Sequence, residues 1–227
     1  MQITQKQFDN FQVPDTIKNK SFFVSFEGFE GAGKSTILKY FMEYLKTQGF
    51  NVVVFREPGG TEFGEKLRDA ILSQRGKLSA LAEAYLFASA RAELLEKMIF
   101  KKLEEPSTVV ILDRFIDSSL VYQGVGANLG MSLILEIHSH YPLNYLPHLT
   151  FLLDIDLETS RDRMKKRGTS KDYFELQDDE YFKKLIEGYR VVAQMFANRV
   201  KIIDAKSSEV IVKDRVIECW QRYLRDI

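Results

Sequence analysis

The sequence predicts an α/β protein, with five parallel strands in one sheet and helices on both faces. Five short runs rich in β-branched and aromatic residues, at 22–26, 51–55, 108–112, 149–155 and 200–205, alternate with segments of helical periodicity. Alternation of that kind builds a parallel sheet covered on both sides. The first run also breaks directly into a glycine-rich turn and then a helix. The chain has 227 residues, 45% of them hydrophobic, and no break in composition that would divide it. One body at 21–227 is therefore expected, preceded by a polar arm at 1–20 that docks loosely.

Several classes are disfavoured at the outset. Lysine plus arginine number 32 and aspartate plus glutamate 32, so no bulk charge argues for wrapping nucleic acid. Cys219 stands alone, which excludes an intrachain disulfide and suggests a reducing compartment. His138, His140 and His148 have no partners at a metal-ligand spacing. No apolar run reaches about 18 residues, so a cytoplasmic protein with no membrane partner is expected.

In order, the first strand leads into Gly28-Phe29-Glu30-Gly31-Ala32-Gly33-Lys34-Ser35-Thr36, which satisfies G-x-x-x-x-G-K-[ST]. Glycines let successive N–H groups face one anion, and the following helix adds its positive end. Lys34 suits the β- and γ-phosphates of a nucleoside triphosphate, and the Ser35 hydroxyl suits Mg²⁺. Chance would produce the pattern in roughly one chain in a hundred of this length, and the strand before and helix after make it rarer. The helix runs to about residue 47, with Gly49 as its cap. The second run, 51–55, reads as a buried strand ending in Arg56-Glu57-Pro58-Gly59-Gly60-Thr61. Charges at a strand end fall where ligands of parallel sheets bind, although a surface ion pair at a turn would look the same.

Residues 62–74 read as an amphipathic helix with Leu67, Ile71 and Leu72 on one face, and 79–103 as one long helix. Phe87 and Arg91 are four apart and share a face. They could stack and bond a base, but spacing alone favours a core Phe beside a surface Arg. After Pro106 the third strand ends in Asp113-Arg114, an acid for Mg²⁺ or its waters and a fork for phosphate. Helices follow at 133–140, 157–167, 181–198 and 210–224. The 157–167 helix carries Arg161, Arg163, Lys165, Lys166 and Arg167. A run of this kind is usually a solvated face, but beside a phosphate loop it can close over phosphates.

Together these motifs resemble the thymidylate kinases of bacterial type, P-loop nucleoside monophosphate kinases. The marks are the phosphate loop, Arg56 to Thr61, Phe87 with Arg91, Asp113-Arg114-Phe115, Ser118-Ser119 and Tyr122-Gln123-Gly124. The resemblance implies sheet order 2-3-1-4-5 and Mg²⁺- and ATP-dependent phosphorylation of dTMP to dTDP by a homodimer. It implies ATP at residues 28–36 with Arg163 and Arg167 from a lid at about 161–178. It implies dTMP at Glu30, Arg56, Phe87, Arg91, Arg114, Ser119, Tyr122 and Gln123, with Phe87 stacking the thymine and Arg91 on its O4 edge. Ser35, Glu57 and Asp113 would serve the metal. The catalytic charges would be Lys34, Arg114 and Asp113, with Lys171 in place of the lid arginine that Tyr173 replaces. Phe115 stands where the family usually has Tyr or His. Rival readings are a kinase for another nucleotide or a deoxynucleoside, and an ATP-hydrolysing switch.

Overall fold

A computed structural model describes residues 7–74, 76–167 and 178–227. Five strands, β1 (Phe22–Glu27), β2 (Asn51–Arg56), β3 (Thr108–Asp113), β4 (Leu149–Asp154) and β5 (Val200–Asp204), form one parallel sheet in the order β2-β3-β1-β4-β5. The connections carry α1 (Lys34–Thr47), α2 (Glu62–Ser73), α3 (Ala80–Leu94), α4 (Phe100–Glu104), α5 (Ile116–Ser119), α6 (Met131–Ile137), α7 (Leu157–Arg167) and α8 (Asp179–Met195), and α9 (Glu209–Asp226) follows β5.

Period-two alternation divides the core between the two faces of the sheet. Phe22, Val24 and Phe26 of β1 pack with Phe41 and Leu45 of α1 and with Trp220 of α9. Phe23 points the other way, into Leu94, Leu103, Phe115, Leu185 and Tyr189. Trp220 is fully buried and meets Phe22 edge-on at 5.1 Å. Burying each such ring contributes about 1.5–3 kcal/mol, and Phe41→Ala would cost about 3–5 kcal/mol. Several helices start on side-chain caps: Thr61 accepts from Gly64 N–H at 2.9 Å, and Asp178 from Tyr181 N–H at 2.7 Å.

Three expectations change. The 51–55 run stands at the edge where the expected order puts it but is not buried, with Val54 37% exposed; a β-branched run looks alike at a centre or an edge. Leu72 lies off the buried face of α2, 46% exposed. The single helix expected over 79–103 is α3 and α4 joined by a π-helical turn at Leu95–Ile99. A second π-helical turn, Leu120–Gly126, follows α5.

Residues 7–20 of the arm dock more closely than expected. Phe8 packs edge-on against Phe196 at 5.2 Å, and Gln12 exchanges backbone bonds with Asn144 and Leu146. His148 Nδ1 accepts from Phe23 N–H at 2.9 Å, so its Nε2–H donates to Pro14 O at 2.8 Å. That pair of bonds holds the ring neutral, and burial lowers its pKa.

Register places the chemistry. Phe26, Asp113 and Arg56 lie level across β1, β3 and β2. The phosphate loop, Asp113-Arg114 and Arg56-Glu57 therefore leave the sheet at one carboxyl edge, where parallel sheets bind ligands.

Candidate active site

The phosphate loop is shaped by close approach. At Gly28, φ is 137°, and a Cβ there would lie 2.5 Å from the Leu153 carbonyl of β4. At Gly31, φ is 79°, and a Cβ would meet Ser160 O at 2.9 Å. Gly33, at φ 89°, caps α1, whose first-turn N–H groups lack helical partners. Ser160 Oγ donates to Glu30 O at 2.7 Å. Arg163 donates to Gly31 O at 3.3 Å and to Ala205 O at 2.8 Å. Thus α7 is seated on the loop by its own side chains. Phe29 turns into the core against Phe182. Lys34 Nζ donates to the Gly28 and Phe29 carbonyls at 2.9 and 3.3 Å. Burial first, then the Arg114 charge, lowers its pKa to about 8. Ser35 is exposed and Thr36 half-buried at the start of α1.

Arg114 joins this loop to the cavity beside it. Its backbone is left-handed, φ 72°. The guanidinium donates to Tyr189 OH at 2.8 Å, Ser118 Oγ at 3.1 Å, Glu30 Oε1 at 2.9 Å and Gly28 O at 3.3 Å. Tyr122 OH also donates to the Glu30 carboxylate, at 2.8 Å. The turn is held by Glu27, which accepts from Phe115 N–H and Ser118 Oγ, both at 2.7 Å. Burial, then the charge of Asp117, raises the Glu27 pKa to about 7.

The cavity measures about 590 Å³, within the range of small-molecule sites. Two bonded groups line it, Glu30 with Arg114 and Tyr122, and Arg91 with Glu57, and Phe87 lines it too. Here the reading favoured by spacing is reversed: Phe87 is half-buried and faces the cavity, whereas Arg91 is 1% exposed. Arg91 donates from Nε and Nη2 to Glu57 Oε2 at 2.8 and 2.5 Å, from Nη2 to Ser119 Oγ at 3.1 Å, and from Nη1 to His138 Nε2 at 2.6 Å. Burial outweighs Arg91 in raising the Glu57 pKa. Gln123 is buried and donates to Glu83 Oε1 at 2.8 Å.

Not every expected residue converges. Arg56 pairs with Glu65 at 3.1 Å and is well exposed, which is the surface pair that the turn also allowed. Lys171 and the Arg167 side chain lie outside the described residues. Conversely, Glu27 and Tyr189 belong to the site without having been singled out, and so does His138, which was set aside only as a metal ligand. A signal existed for Glu27, an acid closing an apolar strand immediately before Gly28.

A metal fits this edge of the sheet. Asp113 Oδ1 is buried with no partner among the described residues, and the Asp113 charge acts on Lys34. Asp113 and the hydroxyl of Ser35, the residue after Lys34, are hard-oxygen donors of the kind Mg²⁺ uses beside substrate phosphates. Glu57 fits less directly. Its Oε2 is committed to Arg91, and Oε1, which has no partner among the described residues, is what it can still offer.

Residues 26–216 match the sequence model of the thymidylate kinase family. The chain belongs to the thymidylate kinase family. Among its relatives are the thymidylate kinase of Thermoanaerobacter sp. (strain X514), 39% identical over 206 residues, 90% of this chain and 100% of that one. Another, from Alkalilimnicola ehrlichii, is 41% identical, covering 81% of this chain and 84% of its own. The crystal structure of thymidylate kinase from Ehrlichia chaffeensis superposes with a TM-score of 0.69 at 31% identity, covering 88% of this chain and 98% of that one. The sheet order is the one the thymidylate kinase resemblance implied.

Proposed function

We propose that this chain transfers the γ-phosphoryl group of ATP to dTMP, giving dTDP and ADP. Family membership supports the reaction. The observation that carries it is Arg114, which bonds the phosphate-loop carbonyl of Gly28 while lining the same cavity as Phe87 and Arg91. One guanidinium can thus hold an acceptor phosphate beside the donor's γ-phosphate, and such positioning is most of what phosphoryl transfer requires.

In this reading the ATP phosphates lie on the N–H groups of residues 28–36, and Lys34 leaves the Gly28 and Phe29 carbonyls to meet them. Arg163 holds α7 over the loop, and Arg167 adds charge at its end. Thymine stacks on Phe87 and bonds Arg91, with Ser119 and Gln123 lining the nucleoside. Glu30 takes the sugar 3′-hydroxyl, and Tyr122 crowds the 2′ carbon against a ribose. Arg56 would have to leave Glu65 to reach the acceptor phosphate. Ser35 and Asp113 would hold Mg²⁺, with Glu57 Oε1 for a metal-bound water; the metal when bound neutralises charge on the β- and γ-oxygens. A cytoplasmic homodimer acting on small molecules, without nucleic acid or membrane, completes the proposal. Among the described residues no helix is long and apolar enough to cross a membrane.

The test is ADP release in a coupled assay, with and without each nucleoside monophosphate. Release that depends on dTMP supports the proposal. Equal release without any acceptor indicates a hydrolytic switch, and preference for another monophosphate indicates a different kinase.

A further inference from the structure

We propose that His138, at the end of α6, is a positioning residue that sets base selectivity by aiming Arg91. The proposal rests on the reading that Arg91 meets the acceptor base. A guanidinium has five N–H groups in a fixed plane. Four of those of Arg91 are committed, two to Glu57 Oε2, one to Ser119 and one to His138. Both bonds to Glu57 end on the same oxygen, so the carboxylate grips the fork at one point and leaves its plane free to tilt. Ser119 takes the other Nη2 hydrogen, at the end of the fork, and adds a second point. His138 is the third, at Nη1, and three points define a plane. The Phe115 ring lies beneath, 4.9 Å from the guanidinium carbon. With one Nη1 hydrogen taken by His138, the direction of the other is fixed by planar geometry. Arg91 lines the cavity, so that remaining donor is the one a base edge can use.

The histidine is itself held in the accepting form. Its Nδ1 lies 2.8 Å from the Ile134 carbonyl, which can only accept, so Nδ1 carries the hydrogen and Nε2 is left as a lone pair toward Arg91. A proton on Nε2 would set a donor against a donor. Burial, then the Arg91 charge, pushes the His138 pKa down to about 3, so the acceptor persists at any physiological pH. Ile134 and Leu135 of α6 are buried in the core, which makes the carrier of the ring rigid.

The experiment measures kcat and KM for dTMP, dUMP and dCMP, and KM for ATP, in wild type, His138→Phe, His138→Gln and Arg91→Ala. His138→Phe is expected to lower the kcat/KM preference for dTMP over dCMP about tenfold, the scale of one misaimed buried hydrogen bond, while ATP KM stays within about twofold. His138→Gln, which keeps an acceptor, should retain more of that preference than His138→Phe. A His138→Phe enzyme that discriminates as wild type does, while Arg91→Ala does not, overturns the proposal. A uniform loss across all three bases and ATP also overturns it, because it marks a structural role. Should His138→Phe fail to fold, His138→Leu, which likewise removes the acceptor, carries the same comparison. If Arg91→Ala itself leaves discrimination intact, the fault lies with the underlying reading of Arg91, and if wild type ignores dTMP, with the proposed reaction.

Discussion

Cutting the Glu57–Arg91 pair at one end strands a charge at the floor of the cavity. The two side chains are 4% and 1% exposed, so water cannot replace the missing partner. Glu57→Ala removes both acceptor contacts of Arg91 Nε and Nη2 to Oε2. Breaking a buried pair from one side costs about 3–5 kcal/mol, and two charge-assisted hydrogen bonds at about 1.5–3 kcal/mol each reach the same scale. In a chain of this length that lowers Tm by about 6–20 °C. Urea unfolding followed by circular dichroism gives the free energy directly. Replacing both ends with apolar residues, Glu57→Leu with Arg91→Met, leaves no stranded charge and should fall within about 2 kcal/mol of wild type. Arg91→Ala adds a pH signature. With Arg91 gone, burial alone acts on Glu57, so its folded pKa rises further above the unfolded 4.5. A raised carboxyl pKa means the native state holds the extra proton, so the stability of this variant must fall as pH climbs from about 4.5 through neutrality. A Glu57→Ala cost below about 1 kcal/mol, or a double replacement as costly as both singles summed, would refute the buried-pair argument.

Four further outcomes follow from the geometry. Gly28→Ala drives a Cβ into the backbone of β4 at 2.5 Å and strains a left-handed residue, so a loss on the order of 1–3 kcal/mol and of ATP binding is expected; normal binding by fluorescence titration would contradict it. Lys34→Ala should nearly abolish turnover. In wild type, with the folded pKa at about 8, ATP affinity in the free enzyme should weaken as pH rises past that value, and a titration flat to pH 10 would count against it. Glu27, raised from 4.5 to about 7, binds a proton in the native state alone across that window. Its contribution to stability is therefore present below pH 4.5 and is lost by pH 7, on the order of 3 kcal/mol; Glu27→Gln should remove that slope, and parallel pH profiles for the two proteins would exclude it. Asp113→Asn should raise the Mg²⁺ concentration needed for half-maximal rate about tenfold or more, and an unchanged metal dependence would move the ligand elsewhere.

The fold was legible because its signals are local. Hydrophobic period, strand-end glycines and the Pro106 break each act within a few residues, and they located all five strands. What they could not reveal was position within the sheet, since 51–55 and 108–112 have the same character and only pairing makes one an edge. Leu95–Ile99 carries no breaker residue to announce its π-helical turn. In the site, the phosphate loop was readable from covalent spacing alone. The burial of Arg91 was not, because its partners Glu57 and His138 lie 34 and 47 residues away. For the same reason Arg56 and Glu57, adjacent in sequence, part company: one pairs outward with Glu65, the other inward with Arg91.

Arg114 sits at φ 72°, a region that costs an ordinary side chain about 1–2 kcal/mol and glycine almost nothing. Selection for folding alone would put glycine or asparagine there. Arg114→Gly would relieve that strain but remove the guanidinium's bonds to Glu30, Tyr189, Ser118 and Gly28, leaving no fork between the phosphate loop and the cavity. A strained backbone is kept here for what the side chain spans, and thermostabilising libraries built on this chain should hold that residue constant.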